Sequence, residues 1–164
     1  MKRILPLSVL AASAALLSAC GFTPIYGQTG EGAVGTQLSR IAISTPDDRL
    51  GYRLREQLED SLGRNGNQQP QWRLETEVEQ SRIPLGRRID DTATRYQLTV
   101  SAKWVLTPVA GGEPIKGERT TTTTYAAADQ PYAAIAAQQD GEDRAATDLA
   151  RLIRLDLIRA IGNH

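Results

Sequence analysis

Few side chains in this 164-residue sequence are equipped for chemistry, and the first is Cys20, its single cysteine. Ser18 and Ala19 precede it, small residues that let an extended backbone fit a signal-peptidase cleft, and the thiol sits where a diacylglycerol thioether is made. The spacing predicts lipidation at Cys20, which leaves the mature chain no disulfide, thiolate nucleophile or cysteine metal cluster. The single histidine is His164, the last residue, so the body of the chain supplies neither a serine–histidine–aspartate set nor a histidine metal centre. Two adjacent carboxylate pairs, Asp47-Asp48 and Asp90-Asp91, have the atoms for acid–base or calcium chemistry. One opens a helix and the other lies in a strand-to-strand loop, contexts in which acids serve the local backbone. No phosphate-cradling glycine loop occurs. The expectation is no catalytic residue, no metal and no cofactor, hence a binding or assembly protein and not an enzyme.

Arg87 and Arg88 remain, directly after Pro84-Leu85-Gly86. This short stretch joins an apolar to a basic element, and guanidinium groups give bidentate, charge-assisted bonds to phosphate oxygens. A solvated hairpin tip balanced by Asp90 and Asp91 accounts for the same residues equally well.

Residues 1–19 read as an address. Lys2 and Arg3 give a positive start and Ile4 to Leu17 an almost unbroken apolar run, shorter than the roughly 20 residues of a comfortable membrane span. Cleavage before Cys20 would leave 145 of the 164 residues, enough for one domain with one core. It would also remove two of 19 basic residues, leaving 17 against 19 acidic. That near-neutral balance excludes the overall basic footprint of a nucleic-acid binder. Arginine outnumbers lysine heavily, which follows either from genome base composition or from a need for planar guanidinium donors.

The elements that position these residues are legible in the apolar periodicity. Leu38 to Ser44, with Ile41 and Ile43, predicts a short strand. Thr45-Pro46-Asp47-Asp48 reads as a helix start with Thr45 as N-cap and Pro46 at the first helical position. Leu50, Leu54, Leu58 and Leu62 then recur every fourth residue, one apolar stripe over roughly four turns, ended by Gly63 to Gly66. Trp72 to Val78, continuing to Ile83, alternates with period two. So does Thr94 to Thr107, where Tyr96, Leu98, Val100, Ala102, Trp104 and Leu106 share one face. After a turn at Pro108 to Pro114, Ile115 to Ala126 predicts a third long strand whose threonine run, Thr120 to Thr124, suits a wet pleated surface. Consecutive strands joined by loops predict an antiparallel meander. From Gln130-Pro131-Tyr132 onward helical spacing returns, interrupted at Gly141 and ended at Gly162. The expected fold class is α+β: a two-layer sandwich, two helices packed on one face of a four-stranded mostly antiparallel sheet, in the order β-α-β-β-β-α. Domain organisation follows as residues 1–19 signal peptide, 20–36 lipidated segment and tether, and 37–164 a single domain.

The tether begins with Cys20-Gly21-Phe22-Thr23-Pro24-Ile25-Tyr26-Gly27, too apolar for a plain linker, and continues as the glycine-rich Gln28 to Thr36. This segment resembles the start of the LptE lipoproteins of lipopolysaccharide assembly as they occur in alphaproteobacteria, where Cys-Gly-Phe-x-Pro-Leu-Tyr is typical; Ile25 replaces the usual leucine. The resemblance implies this same two-layer fold. It also implies a plug inside the outer-membrane β-barrel LptD, forming the translocon that inserts lipopolysaccharide into the outer leaflet, and direct binding of lipopolysaccharide. Arg87 and Arg88 are then the candidate contacts to lipid A phosphates. Gly21 stands where aspartate would favour inner-membrane retention in lipoprotein sorting, so the expected location is the periplasmic face of the outer membrane, held through the N-terminal lipid. The competing expectation is a periplasmic lipoprotein accessory of an ABC-type lipid transporter, which shares the anchor and can share an α/β body.

Overall fold

The computed structural model describes residues 31–64, 66–87 and 93–163. Cys20, Arg88, Asp90 and Asp91 lie outside them. Val34 to the C-terminus forms one unit, and its elements are α1 (Glu31–Leu38), β1 (Ile41–Ser44), α2 (Arg49–Ser61), β2 (Trp72–Arg87), β3 (Ala93–Pro108), β4 (Ile115–Ala126) and α3 (Pro131–Gly162). After the short α1, the order is the expected β-α-β-β-β-α. The sheet order is β1-β2-β3-β4, with β1 parallel to β2 and the remaining pairs antiparallel.

Alternation in the strands divides the sheet into a covered and an open face. Leu74, Leu98, Val100, Ala102, Trp104 and Leu106 point to the covered side and are buried there. Helix α2 presents Leu50, Leu54 and Leu58, and α3 presents Ala146, Leu149, Ile153 and Leu157, all buried in the same core. Because every apolar stripe ends in this one layer, packing rather than helix propensity holds the elements together.

Four local expectations change. Glu31–Leu38, where glycines predict a tether and then a strand start, is helical; Val34 and Leu38 pack on the core, and that burial outweighs the glycine cost. The N-cap of α2 is Asp48, not Thr45: its carboxylate accepts from Gly51 N at 2.6 Å, so Thr45 to Asp47 stay outside the helix. Strand β2 runs on through Pro84 to Arg87, with Pro84 opposite Tyr96; β1 covers only the first four residues of β2, so this proline lies where strand pairing is one-sided. Finally α3 is one uninterrupted helix of 32 residues, about 48 Å long. Gly141 does not break it, because it is buried where a Cβ would lie 2.9 Å from the Tyr125 ring.

Ion pairs clamp the helices in register. Arg49 reaches from the start of α2 to Glu142 at 2.7 Å and Asp143 at 3.1 Å on α3. Arg119 on β4 holds both carboxylate oxygens of Asp156, through Nε at 2.6 Å and Nη2 at 2.5 Å. Glu142 is 5% exposed, and Gln138 donates to its second oxygen at 2.9 Å, so a buried carboxylate is satisfied on both sides.

Candidate functional site

The β2–β3 hairpin carries its own end well past β1, and α3 runs back over that end from Pro131. Tyr96 and Tyr125 are register partners on β3 and β4, with ring centroids 5.5 Å apart. The missing side chain at Gly141 lets the Tyr125 ring slide beneath α3. Arg82, opposite Leu98, falls on the covered face where the alternation would place an apolar residue. Its guanidinium lies 4.9 Å from the centre of the Tyr96 ring, a cation–π distance. Nη1 donates to Tyr125 Oη at 3.2 Å and to Gln138 Oε1 at 3.1 Å. The hydrogen bond to Tyr125 and the field of the same phenol raise the Arg82 pKa still further, against a small opposing effect of burial. These groups border a cavity of about 310 Å³ whose other walls are Ala126 to Asp129, Ala134 and Ile135.

Three of the six large apolar side chains exposed among the described residues lie at the same end of the folded unit. Tyr132 and Ile135 stand out on the first turns of α3, and Ile83 on the open face of β2. Arg95, exposed and opposite Leu85, has no ion pair among the described residues. Arg87 is the last residue of β2, opposite Ala93. The structure therefore brings Arg87 to the hairpin end that Arg82, Tyr96 and Arg95 share, and Arg88 lies beyond the described residues. Sequence reasoning missed Arg82. Its signal was present as the one charged residue in the inward series Trp72, Leu74, Thr76, Val78, Gln80 and Arg82. Of the acid pairs, Asp48 caps α2, and among the described residues no three metal-ligating side chains converge.

The open face of the sheet is zoned along the hairpin. Nearest β1, Glu75, Glu77, Lys103, Lys116 and Glu118 line a trough of about 700 Å³. Across it Glu77, Lys103 and Glu118 stand opposite one another in a row of alternating sign. In the middle, Ser101 meets Thr120 at 2.8 Å and Thr99 meets Thr122 at 3.4 Å, cross-strand hydroxyl pairs. Among the described residues no helix is long and apolar enough to cross a membrane.

The sequence matches the LptE family, described as lipopolysaccharide-assembly, over residues 38–157, a span from the end of α1 to near the end of α3. The chain belongs to the LptE family. A candidate lipoprotein from Caulobacter crescentus shares 41% identity with it, covering 80% of this chain and 96% of that one, with a TM-score of 0.69. Rare lipoprotein B from Shewanella oneidensis is 17% identical over 75% of this chain and 96% of its own, at a TM-score of 0.53. A minor lipoprotein from Acinetobacter baumannii is 16% identical over 75% and 92%, at 0.52. At those identities the latter two show the fold alone, so the LptE architecture is retained while most residues change. No curated protein sequence matches.

Proposed function

We propose that this LptE-family chain is the lipid-anchored outer-membrane component of the lipopolysaccharide translocon, seated in the lumen of the LptD β-barrel and binding lipopolysaccharide with its hairpin end. The observation that carries this reading is the family match across nearly the whole folded unit. Two features of the chain support it. Barrel lumens are polar, and the open sheet face presents glutamate, lysine, serine and threonine side chains. The hairpin end combines guanidinium groups with Ile83, Tyr132 and Ile135, the pairing that a phosphorylated, acylated glycolipid requires. The role is binding and assembly rather than catalysis, in keeping with a chain whose only histidine is its last residue.

Co-purification from a detergent extract tests the partner. A large barrel protein is expected with the wild type; inner-membrane transport subunits instead would establish the ABC-transporter accessory and remove this reading. For the lipid, Arg87→Asp with Arg88→Asp is expected to weaken lipopolysaccharide binding, because repulsion replaces pairing with phosphate, and the difference should shrink as salt rises. Undiminished binding at low salt would take Arg87 and Arg88 out of the contact. Barrel association, made over a wider surface, should survive the double substitution.

A further inference from the structure

Arg49 and Arg119 are paired with carboxylates, whereas among the described residues Arg82 is held by neutral groups. Its two hydrogen bonds both leave from Nη1, toward Tyr125 and Gln138, and its Cζ lies over the Tyr96 ring. Among the described residues Nε and Nη2 have no hydrogen-bond partner. That edge is the one through which Arg119 grips both oxygens of Asp156. Asp129, on the wall of the same cavity, has an interaction of its own, and the groups that raise the Arg82 pKa are Tyr125 and Tyr96. Gln138 stands between Arg82 and the nearest buried acid, Glu142, accepting from the first and donating to the second. Arg82 is thus fixed in orientation without a carboxylate partner among the described residues, and a guanidinium fixed in that way loses less entropy on binding a planar or tetrahedral oxyanion.

We propose that Arg82 is the anchor of a built oxyanion subsite, in which the Nε/Nη2 edge takes two oxygens of a phosphate monoester while Ala126 to Ala128, Ala134 and Ile135 accommodate the group that carries it. The inference rests on the glycolipid reading for the source of that phosphate and extends it to the helix-covered face of the hairpin, a different face from the open one. It separates two tasks: Arg82, an exposed side chain bordering the cavity, supplies oriented, bidentate recognition, and Arg87 and Arg88 supply further charge. Tyr125 and Gln138 are positioning residues, acting through Arg82.

The test uses the full lipidated chain in nonionic detergent micelles, with three probes: a diphosphorylated glucosamine-disaccharide lipid, its dephosphorylated counterpart, and inorganic phosphate. Titration of the phosphorylated lipid is expected to shift the Arg82 Nε–H resonance, and Arg82→Gln should weaken that lipid roughly ten- to hundredfold while leaving the dephosphorylated one unchanged. Arg82→Lys keeps the charge and loses the fork, so it should remain well below wild type; full recovery with lysine would overturn the bidentate subsite. Circular dichroism melting of both variants shows whether they fold. Equal binding of the phosphorylated lipid by wild type and Arg82→Gln overturns the proposal and leaves the glycolipid reading standing. A resonance shift with inorganic phosphate but none with either lipid supports the subsite, assigns it to free phosphate and counts against the glycolipid reading. Loss of barrel co-purification in Arg82→Gln with lipid binding intact overturns it in favour of a protein carboxylate on that edge.

Discussion

Gly141 occupies a position in the long helix where alanine would favour helix by up to about 1 kcal/mol. Its environment inverts that preference, because a Cβ there would lie 2.9 Å from a ring carbon of Tyr125. Gly141→Val adds two further methyl groups against the same ring, and such overpacking costs about 1–3 kcal/mol. The expected result is a lower urea midpoint together with weakened Arg82 orientation, since Tyr125 accepts from Arg82. An unchanged midpoint would mean that the ring does not define this gap. The sequence shows a glycine in a helical pattern but not what crosses it, and reading Gly141 as an interruption followed from propensity alone. Arg82 was obscured for a related reason. An arginine at an inward strand position reads as a pattern lapse until the neutral partners that hold it, from three other elements, are brought together.

At the scale of elements, the leucine stripe of α2 and the alternation of β3 meet in one core. Leu54 is fully buried and Leu98 is 2% exposed. Leu54→Ala or Leu98→Ala is expected to cost about 2–5 kcal/mol, and chemical denaturation with an unchanged midpoint for either would contradict the packing. These elements were legible because each has a single apolar face and a clean period: β4 spans Ile115–Ala126 as expected, and α2 ends at Ser61, just before Gly63. There Gly63 N bonds to Asp60 O at 3.1 Å and Arg64 N to Glu59 O at 2.9 Å, the paired bonds of a Schellman cap. Element starts were less legible. Thr45 and Asp48 are both competent N-caps, and the choice between them depends on how the crossing from β1 to α2 packs. The full extent of the hairpin was hidden by Pro84 and Gly86, turn residues by type that here continue a strand with one open edge.

For the whole molecule, the proposed lipid anchor at Cys20 involves chemistry separate from the packing of the folded unit. Cys20→Ser is expected to abolish lipid labelling and membrane attachment while leaving the thermal melting of the folded unit unchanged; lipid label persisting in that variant would remove the lipoprotein assignment. The open face presents the complementary case, in which association is altered and the fold spared. Thr122 and Thr124 are exposed on that face, two residues apart on β4, with side chains directed away from the core. Replacing both by tryptophan adds bulk outside the molecule. Surface substitutions of this kind usually change stability by no more than about 0.5 kcal/mol, and tryptophan suits a strand. A face open to the periplasm would tolerate the change, whereas a face set against a barrel wall has no room for two indoles. We therefore expect Thr122→Trp with Thr124→Trp to keep the wild-type denaturation midpoint and lipopolysaccharide binding, and to reduce barrel co-purification severely. Undiminished recovery of the barrel by a folded double variant would turn this face away from the lumen wall and move the contact to the helical layer.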